Sequence, residues 1–106
     1  MTVESATLED LGEGRFRVGG DLDYETVTHL LDIDDPMFAR ANSDITVDLS
    51  GIRRTTSVGL SLMLEWLRKA KAEQKNIRFS NVPAQMLSMA KVSQLDSILR
   101  LTPNQS

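Results

Sequence analysis

The sequence predicts a mixed α/β fold: an antiparallel hairpin at the N-terminus, then parallel strands, with helices covering one or both faces of the sheet. Three observations carry this. Apolar and polar residues alternate over 6–9 and 15–18 on either side of Gly12-Glu13-Gly14. A second pair of alternating stretches, at 45–49 and 76–80, encloses a long helical segment at 57–74. Strand, helix and strand in that order require a parallel crossover, whose usual hand is right.

The elements follow in chain order. The stretches at 6–9 and 15–18 form the hairpin, and Gly19-Gly20-Asp21-Leu22-Asp23 breaks the strand pattern. Asp21 or Asp23 caps a helix that begins near Tyr24 and places Val27, Leu30 and Leu31 on one face. Asp34-Asp35-Pro36 ends it, because proline has no backbone donor, and a short turn follows over 36–41. Ile45, Val47 and Leu49 define a strand that empties into a loop at 51–56.

The helix at 57–74 opens on a serine or threonine cap and shows two apolar stripes. Leu60, Met63, Leu64, Leu67 and Ala70 form the core stripe, whereas Val58, Leu62 and Trp66 gather on a second side, read as outward. Ile77 and Phe79 mark the next strand. Pro83 starts a helix over 84–92 with Met86, Leu87 and Ala90 inward. The segment 95–101 is a short strand or a helical return, and 102–106 is a loose tail.

Composition sets the outer limits on function. A chain of 106 residues, 41% hydrophobic and 25% charged, matches one globular domain spanning 1–106. It has no cysteine, which removes disulfides, thiolate metal sites and cysteine nucleophiles. The N-terminus lacks the basic and apolar regions of a signal peptide, and no apolar run reaches the ~20 residues of a spanning helix, so the expected location is cytoplasmic. Twelve basic and fifteen acidic residues are interspersed, so there is no electrostatic footprint for nucleic acid and no direct membrane insertion is expected. Arg68, Lys69, Lys71 and Lys75 read as a solvated helix face.

Residues for catalysis are not apparent. His29 is the single histidine and lies at a half-exposed helical position, which cannot build a metal site. There is no nucleophile elbow, phosphate loop or dinucleotide fingerprint, so neither a catalytic residue nor a cofactor is expected. Asp32, Asp34 and Asp35 lack the later glycine and glutamate of a calcium loop and read as a solvated turn. The five methionines read as core fillers.

What remains is the passage from the central strand into the long helix, with hydroxyls at Thr55, Thr56 and Ser57 and a glycine at Gly59 that lets another backbone approach. A helix N-terminus favours negative charge, so a hydroxyl here either caps the helix or accepts a phosphate. With the outward stripe Val58, Leu62 and Trp66, these three hydroxyl residues form the expected partner-binding face. Arg53 and Arg54 stand beside it, available to acidic residues of a partner.

Three stretches occur in an order that resembles the STAS family. Gly20-Asp21-Leu22-Asp23 looks like its G-E-L-D turn, Val47-Asp48-Leu49-Ser50-Gly51-Ile52 like its central strand, and Thr56-Ser57-Val58-Gly59-Leu60 like its D-S-S-G-L loop, with Thr56 in place of the aspartate. The resemblance implies a STAS-like sheet and a non-enzymatic, protein-binding role. In its MlaB-like branch, cytoplasmic subunits of an ABC complex that moves phospholipids for outer-membrane asymmetry, the position of Ser57 contacts the ATPase subunit. That implies a subunit that binds and stabilises or activates such an ATPase at the inner-membrane face. The alternative implied is an anti-sigma-factor antagonist whose partner is an anti-sigma factor kinase and whose switch is phosphorylation of Ser57. A third, a small-ligand or lipid-binding module, needs an apolar pocket.

Overall fold

The computed structural model describes residues 6–99 and the backbone of 101–103; most of the expected loose tail lies outside the described residues. Ala6–Gly12 (β1) and Arg15–Leu22 (β2) form the antiparallel hairpin. Its turn depends on Gly14, which has φ +78 and whose Cβ, were there one, would sit 2.4 Å from the Asp44 carbonyl oxygen. Tyr24–Asp32 (α1) leads through a 3-10 turn at Asp35–Phe38 to Asp44–Thr55 (β3). Val58–Ala72 (α2), Asn76–Val82 (β4), Ala84–Val92 (α3), Asp96–Leu99 (α4) and Leu101–Pro103 (β5) complete the chain order. The segment expected as either a short strand or a helical return is both in turn.

The five strands lie in sequence order, with β1 antiparallel to β2 and every later pair parallel. Alternation places Phe16, Val18, Ile45, Val47, Leu49, Ile77 and Phe79 on one buried face. The other face presents Arg15, Arg17, Thr46, Asp48 and Arg78, all exposed or half-exposed. The helices form a single layer over the buried face, in which α2 touches α1, α3 and α4. Among the described residues no helix is long and apolar enough to cross a membrane, and no cluster of potential metal ligands forms.

Two strands outrun their apolar pattern. β2 continues to Leu22 and β3 to Thr55, because Gly19, Gly20, Asp21 and Leu22 pair with Gly51, Ile52, Arg54 and Thr55. The expected break at 19–23 and the expected loop at 51–56 are therefore mostly strand. The register slips twice in this stretch, each time by one extra residue in β3, and the local twist leaves Arg53 and Arg54 both exposed. Main-chain pairing, which side-chain periodicity does not report, carries these extensions.

Asp34 also departs from its expected place in a solvated turn. It is 2% exposed and accepts hydrogen bonds from Trp66 Nε1 at 2.8 Å and Lys69 Nζ at 2.7 Å. Lys69 lies 5.9 Å from the Phe38 ring centroid, so the segment before and within the 3-10 turn is fastened to α2 by an ion pair and a cation–π contact. Met37, Met63 and Met86 are buried in the core.

Candidate functional site

The junction of β3 and α2 is built by short-range bonds. Thr55 is buried and its hydroxyl donates to the Thr56 carbonyl at 2.8 Å. Thr56 is exposed; its N–H donates to Leu22 O at 3.2 Å, tying the junction to the end of β2. The Thr56 hydroxyl accepts the Val58 N–H at 3.2 Å, while its carbonyl accepts the Gly59 N–H at 3.0 Å. Thr56 thus meets the first donors of α2, the work expected of a cap.

Ser57 occupies the N-cap position with helical dihedrals, φ −60 and ψ −15, and its side chain makes no capping bond. Its hydroxyl is exposed beside that of Thr56. Val58 is half-buried.

Of the expected members of this surface, Thr55 is buried beneath the junction with its hydroxyl engaged by the Thr56 carbonyl, and two more lie elsewhere. Leu62 is 1% and Trp66 0% exposed, so the stripe read as outward belongs to the interior. The two stripes are the shoulders of one broad face, centred on Gly59, Trp66 and Ala70, because α2 has neighbours on both sides. Gly59 likewise serves the domain itself. A Cβ there would meet Thr55 Oγ1 at 2.4 Å, Met86 Cε at 3.1 Å and Leu22 Cδ1 at 3.3 Å, so it admits the start of α2 against β2, β3 and α3.

Beside the hydroxyls lies an open cleft of about 370 Å³ lined by Asp21, Leu22, Asp23, Arg53, Arg54, Thr55, Thr56 and Gln85. Arg53 Nε stands 3.5 Å from Asp21 Oδ1 across it. Asp23 caps α1 through a reciprocal box: its Oδ1 accepts the Thr26 N–H at 3.0 Å and Thr26 Oγ1 accepts the Asp23 N–H at 2.8 Å. Asp21 and Gln85 were not among the expected site residues; only the unforeseen extension of β2 brings Asp21 opposite Arg54.

Lower on β3, Asp48 lies on the open sheet face. Burial tends to raise its pKa, but the Ser50 N–H, the Asn81 amide, the Ser50 hydroxyl and the Arg17 guanidinium together hold it below the ordinary carboxylate value. Ser50 N and Asn81 Nδ2 donate to its Oδ1 at 2.8 and 3.1 Å. This carboxylate fastens β3 to β2 and β4 at the point where the register first slips.

Comparison with known proteins agrees with this architecture. A family model described as Mlab, STAS domain, matches residues 6–102. The anti-sigma-B factor antagonist of Staphylococcus epidermidis is 26% identical over 101 residues, covering 95% of this chain and 92% of that protein. Solved structures share the fold. The unphosphorylated anti-sigma factor antagonist SpoIIAA superposes with a TM-score of 0.73 at 16% identity, covering 95% of this chain and 89% of its own. A chain of the Acinetobacter MlaFEDB complex in an ATP-bound conformation gives 0.64 at 23% identity, over 82% and 92%. The motifs at Gly20, Val47 and Thr56, the sheet order and the match over nearly the full length converge: the chain belongs to the STAS family.

Proposed function

We propose that this protein is a STAS accessory subunit that binds the ATPase subunit of an ABC lipid transporter through Thr56, Ser57 and Val58. The observation that carries the reading is the pair of exposed hydroxyls at Thr56 and Ser57, of which the Ser57 side chain is not engaged in capping. The description of the matching family model as Mlab and the chain of MlaFEDB among its structural neighbours support the choice of an ABC assembly. Thr55 supports the junction from beneath, and Arg53 and Arg54 flank it. The subunit contributes no chemistry: it favours the assembled ATPase by a coupling free energy of about 1–3 kcal/mol. Its place is the cytoplasmic face of the inner membrane, held there by its partner.

Copurification tests this. Ser57→Arg and Thr56→Lys put a bulky cation on the surface without touching the core, so both abolish copurification with the ATPase subunit. Ser57→Arg does so at an unchanged melting temperature, whereas Thr56→Lys also loses the hydroxyl that accepts the Val58 N–H and is less stable by the cost of a cap, about 1 kcal/mol. Retained binding by both variants overturns the reading.

The 26% identity to an anti-sigma-B factor antagonist over 95% of the chain favours one alternative, an antagonist switched at Ser57. A phosphate there adds nearly two negative charges at the docking surface. Incubation with an anti-sigma factor kinase, followed by intact-mass measurement, separates the two: a phosphate gained at Ser57 supports the antagonist.

A further inference from the structure

We infer that Tyr24 is the aromatic anchor of this docking surface, inserting its ring into an apolar socket on the protein partner. The inference rests on the reading above and adds to it a residue from a different element.

Of the chain's five aromatic residues, Phe16, Trp66 and Phe79 are buried and Phe38 is packed against the core, whereas Tyr24 is 76% exposed. No side-chain hydrogen bond or ion pair among the described residues accounts for it. The start of α1 is already satisfied by the reciprocal Asp23–Thr26 box, and tyrosine is a poorer helix former than the long polar residues usual at such positions. A residue 76% exposed buries little apolar area on folding.

Its location gives it a use. Thr56 N–H donates to Leu22 O, so the end of β2 and the start of α2 are adjacent, and Tyr24 follows Leu22 by two residues. Asp21, Leu22 and Asp23 form one wall of the cleft whose other wall contains Thr55 and Thr56. Tyr24 follows Asp23 at the end of one wall and Ser57 follows Thr56 at the end of the other, so two exposed residues flank the same cleft. Tyrosine combines a large apolar area with few rotatable bonds and a polar tip, the properties that make it a frequent hot spot in interfaces. The interface thus spans two elements, the hydroxyl pair supplying close polar contact and Tyr24 the apolar burial.

The test measures the affinity of the full chain for the purified ATPase subunit, with Tyr24→Ala, Tyr24→Phe, Ser57→Arg and Val92→Ala compared. Val92 is 86% exposed at the far end of α3 and serves as an apolar control. Tyr24→Ala is expected to weaken binding at least tenfold at an unchanged melting temperature, with Tyr24→Phe close to wild type and Val92→Ala unaffected. Tyr24→Ala within twofold of wild type, while Ser57→Arg abolishes binding, overturns the anchor and leaves the proposed function standing. A wild-type chain that does not bind the subunit overturns both.

Discussion

The indole Nε1 of Trp66 and the ammonium of Lys69 converge on one oxygen, Asp34 Oδ2, at 2.8 and 2.7 Å. A carboxylate this deeply buried is tolerable only with such partners. The pairing connects the segment after α1 to the middle of α2, and it explains why the chain's single tryptophan is spent on the interior.

Trp66→Phe keeps most of the ring volume but removes one of the two donors to Asp34. Urea denaturation is expected to show a loss of about 1–3 kcal/mol, the cost of a buried acceptor deprived of a partner. Binding of the ATPase subunit is expected to be unaffected, since Trp66 has no exposed surface.

Gly59→Ala places a methyl group against Thr55 Oγ1, Met86 and Leu22 at a junction with no room for it. Helix propensity favours the alanine by about 1 kcal/mol, but overpacking costs about 1–3 kcal/mol. A net loss of stability on thermal unfolding is the expected sign; a gain shows that the junction relaxes freely.

Asp48 gives the stability an acid-side dependence. Its folded-state pKa is lowered, so its contribution is fully present above the unfolded value near 3.8 and is lost as pH falls through the folded value. Asp48→Asn, which cannot carry the charge, is expected to be less stable than wild type at neutral pH, with the two curves converging in acid. Parallel curves down to the lowest accessible pH contradict this.

Asp23→Ala removes the side-chain half of the α1 capping box and is expected to cost about 1 kcal/mol, with Asp23→Ser recovering most of it. Chemical denaturation of the three proteins side by side checks the order.

Much of this was legible in the residues. The hairpin, the start of α1 at Tyr24, the helix at 84–92 and the parallel crossover followed from alternation, caps and turn residues, which are local signals. The ends of β2 and β3 were not legible, because glycines and paired arginines carry no period while the main chain pairs regardless. Trp66 and Leu62 were misplaced for a tertiary reason: a helical wheel reports the angle between two apolar stripes but not how many neighbours a helix has. The exposure of Tyr24 was equally invisible, since a tyrosine after a cap reads the same whether its ring faces core or water. The hydroxyl pair at Thr56 and Ser57 was legible as a pattern, whereas the division of labour between them, one capping and one not, needed the bond geometry.

The bond from the Thr56 amide to Leu22 reaches beyond the junction itself. With that amide held by a neighbouring strand and the Thr56 carbonyl held by Gly59, the peptide planes around Ser57 cannot swing into an extended form. A short synthetic copy of this stretch would lack both tethers and sample many shapes, so under the proposed function a partner would read the folded junction rather than the linear stretch, and the ordering would already be in place before it arrives.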